Sequence, residues 1–147
     1  MFLIDTNVLI YAANADCAEH AKCGSLVERA RGGRTPWYTT WPILYEFLRV
    51  MTHPRVLSEP RAVQEAWTFV EALLASPSLI LLTQTARHVD VAGRTLQEIP
   101  LLRGNLLHDC HTAVLMREHG IRRIYTRDTD FHRFPFLEVL DPLSASG

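Results

Sequence analysis

The sequence has little cysteine, a single lysine and no apolar segment long enough to cross a membrane. Its three cysteines, Cys17, Cys23 and Cys110, are an odd number without the clustering of a zinc site, so we expect reduced thiols in a cytoplasmic protein. No apolar run approaches the roughly 20 residues of a transmembrane helix. Met1 leads directly into apolar residues, so we expect neither a signal peptide nor a membrane partner.

The chain also lacks an excess of either charge. Lys and Arg number 15, Asp and Glu number 16, and the net charge is −1 at pH 7. This balance argues against binding driven by overall charge alone, although a basic rim can still lie beside an acidic pocket. All basic residues except Lys22 are arginine, whose planar fork suits carboxylates and phosphates, although codon bias is an equally good explanation.

Apolar runs that read as strands alternate with helical patterns along the whole chain. The 147 residues, 48% of them hydrophobic, suit a single domain covering 1–147. The predicted strands are 2–4, 36–39, 79–82, 121–125 and 137–140. The predicted helices are a first one opening with the run 8–12, then 18–30, 42–51, one from Ser58 or Glu59 to before Ser76, 83–98 and 106–118. This order predicts a three-layer α/β/α fold with a central, mainly parallel sheet of four to five strands.

Helix boundaries and buried faces follow from caps and apolar spacing. Thr6 or Asn7 is the expected N-cap of the first helix, and Thr40 that of the helix at 42–51. The spacing of apolar residues also predicts which side of the second, fourth and fifth helices faces the core. The residues expected to face inward are Ala21, Leu26 and Val27 in the second helix, a series starting at Val63 in the fourth, and Val89, Ala92, Leu96 and Ile99 in the fifth. Residues 144–147 are expected to form a frayed tail.

Two aspartates stand just past apolar strands. Asp5 follows the first strand, and Asp128 follows the strand that ends near Tyr125. If those strands are parallel neighbours, their ends lie roughly 5 Å apart, and two carboxylates that close need a proton or a cation. Asp109 and Glu46 are two further acids beside apolar helix faces. Such a group suits Mg²⁺ or Mn²⁺, although an N-cap aspartate, a turn aspartate and surface acids are the simpler alternatives.

The same residues resemble a known family. Asp5-Thr6-Asn7-Val8-Leu9, Glu46-Phe47, Asp109 and the segment 126–131 (Thr-Arg-Asp-Thr-Asp-Phe) resemble the four acidic motifs of PIN-domain nucleases. The resemblance is strongest to the VapC ribonuclease toxins of bacterial type II toxin–antitoxin systems. The segments 46–50 and 52–56 are similar to a subgroup of those toxins. Each motif is weak alone, but the four occur in order over nearly the whole chain.

The resemblance implies a metal-dependent endoribonuclease that holds Mg²⁺ or Mn²⁺. Asp5 and Asp109 would be the core ligands, Glu46 would bind the metal or orient water, and Asp128 would bind a second ion, with Asp130 as a substitute. The expected supporting residues are Thr6, Asn7 and Thr126. The implied partners are RNA, a second copy of the chain, and a VapB-like antitoxin whose arginine would pair with the same carboxylates. Transfer RNA and ribosomal RNA are both plausible targets.

Several alternatives stay open at this point. Arg127 and Arg133 are candidates for RNA contacts. Trp37, Tyr38 and Trp41 suit either base stacking or packing. A haloacid-dehalogenase-like phosphatase also has an aspartate after its first strand, but it needs a second acid where Asn7 stands and a late lysine. A PIN-like module that binds RNA or protein without cleaving it is the other alternative.

Overall fold

The computed structural model describes residues 1–144, so the predicted tail lies outside the described residues except for Ser144. Its strands form one parallel sheet in the order β3-β2-β1-β4-β5. The strands are β1 (Phe2–Ile4), β2 (Trp37–Thr39), β3 (Leu79–Leu81), β4 (Arg123–Tyr125) and β5 (Glu138–Leu140). The predicted α/β fold with a parallel sheet is therefore confirmed, and β1 lies at its centre.

Helices connect the strands. They are α1 (Thr6–Ala13), α2 (His20–Gly32), α3 (Trp41–Met51), α4 (Val63–Leu74), α5 (His88–Glu98) and α6 (Leu106–Glu118), with a 3₁₀ helix at Thr129–Arg133. Within residues 1–144, no helix is both long and apolar enough to span a membrane. Thr40 caps α3 as predicted, accepting a hydrogen bond from the Ile43 amide at 3.1 Å. The expected cap of α1 is wrong, because Asp5 takes that position.

The core lies between the sheet and the helices. Leu3 and Ile4 of β1 and Ile124 of β4 have no exposed surface. Helix α6 is buried over most of its circumference, since Cys110 and the whole segment 112–116 are buried. This buried segment anchors α6 in the core, and Asp109 lies at the half-buried start of the helix, just before it.

Two helices begin later than their apolar patterns predict. Helix α4 begins at Val63 because residues before it are extended and the Arg61 amide donates to the Met51 carbonyl at 2.8 Å. Helix α5 begins at His88 because the preceding loop is bound to the end of α6. The amide and hydroxyl of Thr85 both donate to Glu118, at 2.9 and 2.8 Å. Side-chain acceptors of this kind compete with the helix for backbone donors.

The predicted inward faces are partly wrong. In α5, Val89 is 81% exposed and Leu96 is 50% exposed, whereas the buried positions are Val91, Thr95 and the following Ile99. The helix has apolar residues on two sides, so hydrophobicity alone does not identify the side that packs on α6. Val63 and Ala21 are likewise exposed, and Cys23 and Ala30 join Leu26 and Val27 on the buried face of α2.

Two valines of α5 test this assignment. Val91→Ala should lower the free energy of unfolding by about 2 kcal/mol, since it removes two buried methyl groups and leaves a cavity. Val89→Ala removes the same two methyl groups from a side chain that is exposed to solvent, so it should change the free energy of unfolding by less than about 0.5 kcal/mol. Urea denaturation of both variants measures the difference. Equal losses would contradict the buried face described here.

Candidate active site

The pairing of β1 with β4 sets the position of the candidate site. Ile4 pairs with Tyr125, and the Asp5 amide extends the ladder by donating to the Tyr125 carbonyl at 3.1 Å. Asp5 and Thr126 therefore leave neighbouring strands side by side. In open parallel sheets, ligands bind at this carboxyl edge of the strands.

A hydrogen-bond network fixes the Asp5 carboxylate, which is only 8% exposed. Oδ2 accepts from the Thr126 hydroxyl at 2.8 Å and from the Asn7 amide group at 3.2 Å, while Oδ1 accepts from the Thr6 amide at 2.8 Å. Asn7 also donates to the Thr126 hydroxyl at 3.0 Å. The side chains of Thr126 and Asn7 therefore both donate to the Asp5 carboxylate. Thr6 donates to it through its backbone amide, and the Thr6 hydroxyl donates instead to the Ile43 carbonyl.

The other aspartates meet beside Asp5. Asp109, Asp128 and Asp130 each offer a carboxylate oxygen, and these three oxygens lie within 4.8 Å of one another. The 3₁₀ helix brings Asp130 into the group, because its amide donates to Asp128 Oδ1 at 2.9 Å. The structure therefore includes Asp130 alongside Asp128, whereas the sequence analysis treated it as a substitute.

Burial, together with the charges of neighbouring acids, raises the pKa of two of these aspartates. Burial raises the pKa of Asp5 to about 6, and the charge on Asp128 adds to the effect against the opposing hydrogen bonds. Burial raises the pKa of Asp109 to about 8, followed by the charges of Asp128 and Asp5. Both shifts mean that burial and neighbouring charges disfavour the ionised form of these two acids. A hard divalent cation bound among the carboxylates would favour the ionised form.

The four aspartates and Glu46 line a single cavity of about 1120 Å³, which also borders α3 and α6. Glu46 lies on the α3 wall and is paired there with Arg49, which donates to both its oxygens at 2.9 and 2.6 Å. Arg49 thereby lowers the pKa of Glu46. The structure thus brings Glu46 to the same cavity but engages it with Arg49 and not with the aspartates.

The two arginines proposed from sequence do not line the cavity, but they differ in how close they lie to it. Arg127 forms ion pairs with Asp141 at 3.3 Å and Glu19 at 3.7 Å. Arg133 lies 3.8 Å from Asp130, one of the acids that line the cavity. Arg127 is therefore not placed to contact a ligand inside the cavity, whereas Arg133 borders the acidic cluster.

Sequence reasoning missed the cations and the aromatic ring that do line the cavity. Arg49 and Tyr45 lie on its α3 wall, and Arg103 lies on the loop before α6. The spacing of Arg49, three residues after Glu46, is a signal for an ion pair on one helix. Nothing in the sequence marks Arg103. Trp37 and Tyr38 are buried in the core, whereas Trp41 is 38% exposed.

Comparison with known proteins agrees with this geometry. The model of the PIN domain matches residues 2–137. The chain belongs to the PIN-domain family. This PIN domain is 34% identical to the ribonuclease VapC48 of Mycobacterium tuberculosis over 140 residues, covering 95% of this chain and 96% of that protein. It is 37% identical to ribonuclease VapC43 of the same species over 143 residues, covering 97% and 96%. It is thus a PIN domain of the VapC ribonuclease type.

Solved structures share the fold. VapC20 of M. tuberculosis, a toxin that cleaves the sarcin-ricin loop, has a TM-score of 0.65 at 20% identity and covers 90% of this chain and 93% of its own. VapBC2 of Rickettsia felis, bound to a DNA fragment from its promoter, has a TM-score of 0.64 at 18% identity, with coverage of 95% and 96%. At these identities the likeness supports the three-layer fold.

The raised pKa values predict how metal-free protein responds to pH. Asp5 and Asp109 hold protons in the folded state that the unfolded chain releases above about pH 4. Their contribution to stability is therefore complete below that pH and is lost as the pH rises through about 6 for Asp5 and about 8 for Asp109. In chelator at pH 7.5, Asp109→Asn should raise the free energy of unfolding by at least about 1.4 kcal/mol, the equivalent of one pKa unit.

Urea denaturation between pH 4 and 8.5 measures this effect. Asp16→Asn, which removes an exposed acid away from the cavity, should leave the curve unchanged. Mg²⁺ should stabilise the wild type more than Asp109→Asn. A variant less stable than the wild type at every pH would show that the Asp109 charge is well compensated in the fold.

Proposed function

We propose that this VapC-type PIN domain is a toxin that hydrolyses RNA phosphodiester bonds using Mg²⁺ or Mn²⁺ held by Asp5, Asp109 and Asp128. One observation carries the proposal: aspartates from three separate chain segments converge in one cavity, where two of them have raised pKa values. The cavity-lining residues described include five carboxylates and two histidines, His108 and His111, but no cysteine or lysine. The cluster of three aspartate oxygens within 4.8 Å of one another supplies the oxygen ligands that suit a hard ion. When bound, the ion supplies an acidified water and compensates the charge developing on the phosphate.

The residues around the aspartates have separate roles in this proposal. Thr126 and Asn7 hold the Asp5 carboxylate in one orientation, which leaves its charge directed at the cavity. Asp130 provides a third carboxylate beside those of Asp109 and Asp128. Glu46 lies at the rim, where it would orient a water molecule once its ion pair with Arg49 is broken. No serine or cysteine nucleophile is required, since hydrolysis uses water directly.

Two alternative functions were consistent with the sequence. The PIN-domain match argues against the phosphatase hypothesis, and Asn7 is a hydrogen-bond donor where that class needs an acid. A PIN-like module without catalysis would have no need for a cluster of closely spaced acids. We therefore favour the enzyme, and absence of cleavage with every divalent ion tested would favour the module.

We further propose that residues 1–147 act as one domain, in the cytoplasm where RNA is available. A VapB-like antitoxin is the proposed partner, since the VapBC2 structure of R. felis contains a related pair. An antitoxin arginine entering the cavity would meet the same uncompensated carboxylates as a metal ion. A homodimer is proposed from the family resemblance alone.

Substitution of the acids tests the enzyme directly. Asp109→Asn should lower the cleavage rate of total cellular RNA at least about 100-fold, since it removes a carboxylate ligand for the ion. Thr126→Val should lower it by about 10- to 100-fold, because Asp5 loses its closest orienting donor. EDTA should stop cleavage, and Mg²⁺ or Mn²⁺ should restore it. Sequencing of the cleaved ends would also identify the target RNA.

The control for this series is Asp16→Asn, which should cleave at the wild-type rate. Circular dichroism should show that each variant is folded. Full activity of Asp109→Asn, or activity that survives removal of all divalent ions, would contradict the proposed mechanism.

Co-expression tests the proposed partner. Expression of the chain alone should arrest bacterial growth, and co-expression with the antitoxin encoded next to it should restore growth. The antitoxin should co-purify with the toxin and compete with Mn²⁺ for it, because both neutralise the same acids. Persistent toxicity while the antitoxin remains bound would contradict inhibition at the cavity.

A further inference from the structure

One exposed stripe of α3 is not explained by the acidic site. Trp41, Tyr45 and Arg49 are spaced four residues apart, so they lie along one side of the helix. Trp41 is 38% exposed and Tyr45 is 65% exposed, and the Arg49 side chain is 58% exposed. The two rings are neighbours, with centroids 6.2 Å apart. The two adjacent rings and the guanidinium therefore form one exposed patch that combines aromatic surface with a positive charge.

The stripe leads directly into the acidic cavity. Tyr45 and Arg49 both line it, together with Glu46 and the aspartates, while Trp41 lies one turn before them. Four residues of helix advance about 6 Å, so the three side chains cover about 12 Å of wall. A ligand lying along this wall would reach the carboxylates without bending away from the surface.

Arg49 is available to such a ligand at little cost. Its partner Glu46 is on the same helix, and both side chains are about half exposed. Exposed ion pairs of this kind shift an equilibrium by only about twofold, so a phosphate group can replace Glu46 on the guanidinium. Arginine binds phosphate oxygens through two parallel hydrogen bonds. The exchange would also free Glu46 to turn toward the aspartates.

We infer that Trp41, Tyr45 and Arg49 form a binding platform for single-stranded RNA, with a base stacked on Tyr45 and a backbone phosphate held by Arg49. This inference rests on the proposed ribonuclease function and adds the surface that positions the strand. Aromatic rings beside a cation are the combination that binds single strands with little sequence preference. Trp41 provides a second ring further from the cavity.

Charge favours RNA over a protein as the occupant. The described cavity lining includes Arg49 and Arg103 next to five acids and two histidines, and the arginines are the groups there with a permanent positive charge. A strand that reaches the aspartates along the α3 wall passes Arg49. Aromatic and arginine side chains also occur in protein interfaces, so binding of the antitoxin to the same stripe is an outcome that the test separates.

RNA binding without cleavage tests the platform. The probe is a fluorescein-labelled, single-stranded oligoribonucleotide of mixed sequence with phosphorothioate linkages, measured by fluorescence anisotropy in Mg²⁺. Tyr45→Ala should raise Kd by about 5- to 100-fold, while Tyr45→Phe, which keeps the ring, should stay within about twofold. Arg49→Ala should reduce the slope of log affinity against log salt by about 0.7, the loss of one phosphate contact.

Matched controls come from α5. The Arg94 side chain is 58% exposed, like that of Arg49, and it also pairs with a glutamate on its own helix, at 3.9 Å. Arg94→Ala should change neither Kd nor the salt slope. Leu96→Ala, at another exposed apolar position, should also bind normally. All variants should melt within a few degrees of the wild type, because each changed side chain faces solvent.

An unchanged Kd for Tyr45→Ala would overturn the platform. Loss of antitoxin binding in Tyr45→Ala with normal RNA affinity would overturn it too, and would assign the stripe to the antitoxin. The measurement is independent of catalysis. If the wild type binds the oligonucleotide through Tyr45 but cleaves no RNA in any divalent ion, the platform stands and the proposed nuclease function fails.

Discussion

The parallel pairing of β1 with β4 is the constraint on which the site depends. It places Asp5 and Thr126 on adjacent strand ends, and the turn after β4 then brings Asp128 and Asp130 to the cavity that Asp5 also lines. The buried helix α6 supplies Asp109 from the other side. Like charges this close repel, so the packed core around β1, β4 and α6 must hold them together. The fold thereby stabilises an arrangement of acids that would separate in an open chain.

The sequence predicts this architecture well because its signals are local. Short apolar runs ended by polar residues identify all five strands, and α6 is predicted with its correct ends, Leu106 and Glu118. The prediction fails where a contact between residues distant in sequence determines where a helix begins or which of its faces is buried. The loop before α5 is held by Glu118, a residue more than 30 positions away. The inner face of α5 includes Thr95, whose hydroxyl meets Arg117, and hydrophobicity cannot select a polar residue for the interior.

The site is predicted in part for the same reason. Asp5, Asp128, Asp109 and Glu46 could be named because each follows a strand or lies beside an apolar helix face, and the family resemblance then gave each of them a role. The direction of a side chain after a strand is not encoded locally. Arg127 lies within the motif, yet its guanidinium pairs with Glu19 and Asp141 outside the cavity. Tyr45 sits among buried residues of α3, and only the arrangement of α3 beside the cavity reveals that it faces the site.

The uncompensated charge also links activity to inhibition. Protons, a divalent ion and an arginine side chain can each relieve the repulsion around Asp109, and they exclude one another because they occupy the same carboxylates. At neutral pH a proton is held mainly at Asp109, whose pKa is raised to about 8, and less at Asp5, whose pKa is raised to about 6. A divalent ion therefore has to displace a proton from Asp109, and an arginine delivered by a bound protein would compete for the same carboxylates. Arg49 is paired with Glu46 on the same helix and not with the aspartates, so the cluster of aspartates stays open to an ion.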